Sequence, residues 1–203
     1  MGKKNISVVI LAGGDSLRLK SPKPFLLFTP RVTFIEKLIS VYSGFGCRKI
    51  ITVINSKYFD EEYFFKLKKF SNAAFVINRH PEFGKFYTLK LGISKLSNEK
   101  YCFIQNIDNP FTNLSLLNRL YTAKSPDGYI APVFKGKGGH PVLIGNRIIQ
   151  GIKKQRASDI NLRTFLNKYQ RIETPTKYEK ITANINTLND YRKYFYNAVK
   201  PSR

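Results

Sequence analysis

Gly13 and Gly14, with Ser16, Arg18 and Lys23 close behind, are the residue types in this chain best spaced to handle a phosphorylated ligand. Adjacent glycines let the backbone turn tightly and bring bare N–H groups against a ligand where a side chain would collide. Arg18 adds a planar fork of donors and Lys23 a compact charge, the set that a triphosphate needs. The alternative at this loop is an ordinary strand-ending turn with two solvated cations. Two familiar phosphate loops are absent. No string reads Gly, four residues, Gly-Lys-Ser/Thr, and no G-x-G-x-x-G opens a helix.

Three more segments carry candidate chemistry. Asp108-Asn109-Pro110-Phe111 follows an apolar stretch and offers one carboxylate. A lone Asp beside bound phosphates suits Mg²⁺, which takes one or two carboxylates plus phosphate oxygens and water. Asp is also a common turn initiator, and both readings stand for Asp108. Lys137-Gly138-Gly139-His140-Pro141 has glycines suited to close backbone approach to a ligand. His140 has no Cys or second His nearby, which argues against zinc; a neutral, backbone-bonded turn histidine fits equally well. Ala183-Asn184-Ile185-Asn186-Thr187 puts Asn184 and Asn186 on one face if it is extended. Either amide could give a metal an oxygen or cap the helix that follows.

The elements that must position these residues alternate between short apolar runs and amphipathic segments, the pattern of a mostly parallel sheet with helices on its faces. Strands are predicted over 6–11, 49–54, 74–78, 101–107, 128–133 and 141–144. Thr33 and Glu36 form a capping box opening a helix whose apolar face is Phe34, Ile35, Leu38, Ile39 and Tyr42, ended at Gly44–Gly46. Further helices are predicted over 60–69, around 86–96 and 114–120, and over 162–169 and 188–199. Thr187 and Asp190 cap the last of these. In such a sheet ligands bind beyond the carboxyl ends of the strands, so the glycine loop and Asp108 should share an edge.

With 203 residues, 42% hydrophobic, and 16 Phe and 12 Tyr, one domain spanning 1–203 with a sizeable core is expected. No apolar run reaches the ~20 residues of a membrane span. The apolar run after Lys3-Lys4 reads as a strand rather than a secretory signal, and Ile6 stands where a myristoylation pattern wants Ser or Thr. Cys47 and Cys102, both in apolar surroundings, read as reduced core thiols and favour a cytoplasmic setting. Thirty-five Lys and Arg against 13 Asp and Glu give a net charge of +22, which predicts attraction to polyanions or phosphorylated small molecules. The most basic stretch runs from Lys135 to Arg171, with Asp159 its lone acid. A solvated basic surface without a partner is the plainer reading of that stretch.

Taken together, these motifs resemble the molybdenum-cofactor nucleotidyltransferase family, the MobA/MocA-like NTP transferases. The family's opening loop, L-A-[AG]-G-x-S-x-R-[ML]-G-x-x-K, is matched at Leu11, Ala12, Gly13, Gly14, Ser16, Arg18, Leu19 and Lys23. Gly84, Thr88, Leu89 and Gly92 resemble the segment near the base and ribose, and Asp108-Asn109-Pro110 resembles the D-x-P metal motif. Gly139-His140-Pro141-Val142 resembles the G-H-P-V element of the cytidylyltransferase branch, with Asp159 and Arg163 placed as in its G-D-x-G-x-R. Asn184-Ile185-Asn186-Thr187 is nearer the closing N-x-N-T-P-E-D of the guanylyltransferase branch. Departures occur at Lys20 (glycine in the family), Tyr87 (serine), Ser158 and Asn161 (both glycine), and Leu188-Asn189 (Pro-Glu).

The resemblance implies a Rossmann-like three-layer αβα fold and a Mg²⁺-dependent transfer of a nucleoside monophosphate from CTP or GTP onto a phosphorylated acceptor, releasing pyrophosphate. It implies nucleotide contacts at Leu11, Ala12, Gly13, Gly14, Ser16, Arg18, Lys23, Asn78, Gly84 and Thr88, and catalytic roles for Arg18, Lys23 and Asp108. Asp108 and Asn184 would hold the metal, and His140 and Arg163 the acceptor. A sugar- or alditol-phosphate nucleotidyltransferase of the same fold is the nearest alternative. A non-catalytic nucleic-acid binder, motivated by the charge, is the alternative from another class; it predicts a steep salt dependence.

Overall fold

The structure is a computed structural model that describes residues 4–14, 19, 22–67, 70–157 and 160–195. Ser16, Arg18, Lys20, Ser158, Asp159 and the end of the last predicted helix lie outside the described residues.

The chain opens with β1 (Ile6–Ala12), followed by a short hairpin of β2 (Leu27–Thr29) and β3 (Val32–Thr33), helix α1 (Phe34–Phe45) and β4 (Ile50–Asn55). Helix α2 (Glu61–Lys66), β5 (Ala73–Asn78), α3 (Gly84–Ile93) and β6 (Tyr101–Asn106) come next. The second half holds α4 (Leu114–Thr122), β7 (Tyr129–Phe134), β8 (Lys137–Gly138), β9 (Val142–Gly145) and α5 (Asn146–Lys154). It ends with α6 (Leu162–Leu166), β10 (Arg171–Pro175) and α7 (Leu188–Phe195).

One eight-stranded sheet runs β10-β7-β9-β6-β1-β4-β5, with β8 paired to β7. Strand β1 is parallel to both β4 and β6, whereas β9 runs antiparallel to both β6 and β7. The chain winds outward from β1 in one direction through β4 and β5 and in the other through β6, so strand order reverses between β1 and β6. That reversal is where an open α/β sheet leaves a crevice for ligands.

Alternation along β1 builds both layers. Val8, Ile10 and Ala12 join the core under α1, α4 and α7, while Val9 and Leu11 join the core under α3, α5 and α6. Helix α1 starts with the predicted reciprocal cap: Thr33 Oγ1 accepts from Glu36 N (3.3 Å) and Thr33 N donates to Glu36 Oε2 (2.9 Å). At α7, Asp190 Oδ2 accepts from Thr187 N (2.8 Å) and Asn186 N (3.0 Å). Cys47 and Cys102 are free and buried. Among the described residues no helix is long and apolar enough to cross a membrane.

Several expectations needed correction. Helix α5 was not predicted; its buried Ile148, Ile149 and Ile152 lie within a basic stretch and its N-cap is Gly145, which offers no side-chain bond. Strands β2, β3 and β10 were also missed, being short and largely unburied. Strand β9 is antiparallel to β6 and β7 within the mostly parallel sheet that was expected.

Candidate active site

The register of β1 and β6 decides where the chemistry sits. Leu11 pairs with Asn106, and Ile107 N extends the ladder to Leu11 O (3.2 Å). Gly13-Gly14 and Asp108 therefore leave adjacent strands at the same edge. A cavity of about 170 Å³ opens there, lined by Leu11, Ala12, Gly13, Gly14, Lys23, Gly84, Thr88 and Asp108, all expected from sequence, and by Pro24, Pro81, Lys85, Asn106 and Ile107. It is smaller than the ~300 Å³ that usually encloses a whole ligand, so part of a nucleotide would lie in its open mouth.

Packing alone requires glycine at position 13. A Cβ there would stand 2.8 Å from Thr88 Cγ2 and 2.9 Å from Asn78 Nδ2, whereas one at Gly14 would meet nothing within 4 Å. Asn78 is fully buried beneath the loop, its Oδ1 accepting from His80 N (2.9 Å) and its Nδ2 donating to Thr88 Oγ1 (3.2 Å). Asn78, expected at the nucleotide, does not line the cavity. Its amide is spent on holding β5 to α3.

Lys23 is positioned by the aromatic residues after it. Pro24 is buried, the Phe25 ring meets Tyr63 edge-on at 4.8 Å, and Phe28 packs on Phe34, Phe111 and Phe195. Lys23 Nζ donates to Asn186 Oδ1 (2.7 Å) and stands 3.5 Å from Asp108 Oδ2. Of the two amides foreseen in the closing segment, Asn186 is thus the one that enters the site. Asn184, expected at the metal, is exposed and does not line the cavity. The segment is pinned by Ile185 N, which donates to Asp108 O (2.7 Å).

A buried network that the sequence reading missed holds the Asp108 turn. Gln105 Nε2 donates to Asn106 O (2.8 Å) and Asn109 O (2.9 Å), while its Oε1 accepts from Tyr42 (2.8 Å) and Thr112 (2.5 Å). Asn109 Nδ2 donates to Ile181 O (2.9 Å). Asp108 Oδ1 is buried with no hydrogen-bond partner among the described residues. Buried polar atoms rarely go without a partner, and an orphaned carboxylate oxygen in a phosphate-sized cavity fits a cation that arrives with its ligand. Among the described residues no cluster of three His, Cys, Asp or Glu could hold a metal by itself.

His140 and Arg163 line a second, neighbouring groove of about 660 Å³, with Tyr129, Tyr169 and Arg171 among its other walls. Asn106 Nδ2 donates to His140 Nε2 (2.7 Å). Burial, with help from the Lys85 charge and against the pull of Asp108, lowers the His140 pKa to about 4, so the ring is neutral near pH 7. Gly139 lines this groove and also packs on the chain itself. A Cβ there would stand 2.5 Å from Ile181 O, so its close approach is to the protein's own backbone. The basic stretch also divides: Arg163 and Arg171 line the groove, Arg171 while paired with Glu173 (3.0 Å), and Lys153 Nζ donates to Leu96 O (2.7 Å).

A protein-family model described as the MobA-like NTP transferase domain matches residues 8–172. The chain belongs to that family. Molybdenum cofactor cytidylyltransferase of Escherichia coli (strain K12) is 25% identical over 187 residues, 92% of this chain and 93% of that protein. Among solved structures, Rv0371c of Mycobacterium tuberculosis H37Rv in complex with manganese superposes with a TM-score of 0.72 at 15% identity, covering 94% of this chain and 98% of that one. The 4-diphosphocytidyl-2C-methyl-D-erythritol synthase of Anaerococcus prevotii DSM 20548 gives 0.73 at 15% identity, covering 98% and 97%. Those two likenesses show the fold: a mostly parallel sheet flanked by helices. In this NTP transferase the family's loop, its metal-motif aspartate and its closing Asn-x-Asn segment meet at one sheet edge.

Proposed function

We propose that this nucleotidyltransferase moves a nucleoside monophosphate from an NTP, CTP first among candidates, onto the phosphate of a small acceptor with release of pyrophosphate. The observation that carries the reading is the meeting of Lys23 and Asp108 across the cavity behind Gly13-Gly14, one cation for phosphate and one carboxylate for a metal. The names of the Escherichia coli relative and the Anaerococcus structure support a cytidylyl donor. The manganese complex supports a divalent metal, which we take to be Mg²⁺.

An acceptor phosphate is already anionic near pH 7, so no protein base is needed for the attack on the α-phosphorus. Catalysis then rests on alignment and charge neutralisation. Backbone N–H groups at Gly13 and Gly14, Lys23, and Arg18 from the same loop would hold the triphosphate and offset charge on the departing pyrophosphate. Asp108 would hold the metal, which when bound neutralises charge on the phosphate oxygens. Lys23, steadied by Asn186, would turn from Asp108 to the phosphates. Arg163 and the neutral ring of His140 would border the acceptor.

The decisive experiment is thermal unfolding with CTP, GTP, ATP and UTP in Mg²⁺. A ligand at about 100 times its Kd adds about 2.7 kcal/mol of apparent stability. A shift with CTP that Lys23→Ala and Asp108→Ala lose, together with pyrophosphate release, is expected. No shift with any nucleotide would sink the reading.

A further inference from the structure

The nucleotide cavity and the acceptor groove have one lining residue in common among the described residues, and it is Lys85. Its side chain is exposed, and no acid pairs with it among the described residues. It sits in the first turn of α3, a turn that carries no acidic residue. The positive end of a helix disfavours an ammonium there, and such departures from local preference gather at functional sites. Protein crowding at the wall lowers its pKa, with Asp108 opposing and Lys23 adding to the fall. Its charge also acts on His140. Lys85 therefore acts on charged or titrating groups lining each space.

We propose that Lys85 is a catalytic residue whose ammonium is shared by the acceptor's phosphate and the α-phosphate of the bound NTP. The inference rests on the transferase reading above. Two anions must come into contact for transfer, and a single cation on the common wall offsets their repulsion where they meet. An acceptor oxygen forms the new bond to the α-phosphorus. The bond from that phosphorus to the α,β-bridging oxygen breaks, and its electron pair leaves with pyrophosphate. Lys85 keeps its proton throughout. Among the described residues the groove's lining includes Arg163 and Arg171 but no carboxylate, so the acceptor class is a phosphate monoester whose body carries no positive charge.

Calorimetric titration of the full chain tests this, with CTP plus Mg²⁺ as one probe and inorganic phosphate as the other, at near-physiological salt. Phosphate should bind the CTP-loaded wild type. In Lys85→Met and Lys85→Gln its affinity for the CTP-loaded protein should fall about tenfold or more, the loss expected of one charge-assisted hydrogen bond. Lys85→Arg keeps the charge and should retain most of the affinity. Lys154→Met, removing an exposed lysine at the end of α5, should change nothing. Phosphate that fails to bind the CTP-loaded wild type, or binds Lys85→Met equally well, overturns the inference and leaves the transferase reading standing. A wild type that binds no nucleoside triphosphate overturns both.

Discussion

Asp108 and Lys23 face each other, and their separation of 3.5 Å is long for an ion pair that also bonds directly. In the proposed reading each group has a better partner to come, a cation for Asp108 and phosphate for Lys23. Asp108→Asn keeps the size and removes the charge. Its pyrophosphate release should drop by about 100-fold or more, as when a single transition-state contact is removed, and should no longer respond to added Mg²⁺. Undiminished, metal-responsive turnover in that variant would take Asp108 out of the mechanism. The sequence pointed to both residues because Lys23 closes the glycine loop and Asp108 follows a strand expected at the same sheet edge. It could not separate Asn184 from Asn186, since both share a face of an extended segment and only the docking of Ile185 on Asp108 decides which amide turns inward. Lys85 was not foreseen because a lysine in a lysine-rich chain carries no signal until the two cavities on either side of it are known.

Elements were legible where hydrophobic period and capping agreed. Helix α1 was predicted with its cap because Thr33, Glu36 and the apolar stripe all point one way. Helix α5 was obscured by its charge, and the hairpin of β2 and β3 by its brevity. The Asp108 turn was readable as a site, yet its support was not, because Gln105 looks like any polar residue until its four partners are seen. Gln105→Leu would leave Tyr42 and Thr112 without their acceptor, at a cost of about 1–3 kcal/mol. Turnover in that variant should fall further than stability alone explains, and nucleotide binding measured well below the unfolding midpoint would separate the two. Gly139→Ala forces a methyl against Ile181 O, an overpacking expected to cost about 1–3 kcal/mol. The melting point should drop by several degrees, roughly 2–4 °C per kcal/mol for a chain of this size. An unchanged midpoint would show that the 181 backbone yields.

At the scale of the whole molecule, the net charge of +22 foretold anionic partners but not their place. The fold sorts the cations: Lys23, Lys85, Arg163 and Arg171 border the cavity or the groove, while Lys153 is held by the backbone at Leu96. The buried histidine gives the molecule a pH response of known sign. His140 has a folded pKa of about 4, below the ~6.5 of an unfolded chain, so the unfolded state binds the extra proton between those values. Its contribution to stability is therefore complete above about pH 6.5 and lost as pH falls toward 4. Denaturant unfolding of His140→Gln should show a shallower decline than wild type over that window. Parallel curves would mean that the ring titrates normally.

The bond between Lys23 and Asn186 joins positions 163 residues apart. A ribosome delivers the first half of this site long before the second, and domains tend to organise from the amino end as they emerge. The nascent chain therefore carries a half-built site until nearly all of it has been synthesised, and a product truncated before Asn186 would have the glycine loop without the amide that steadies its lysine.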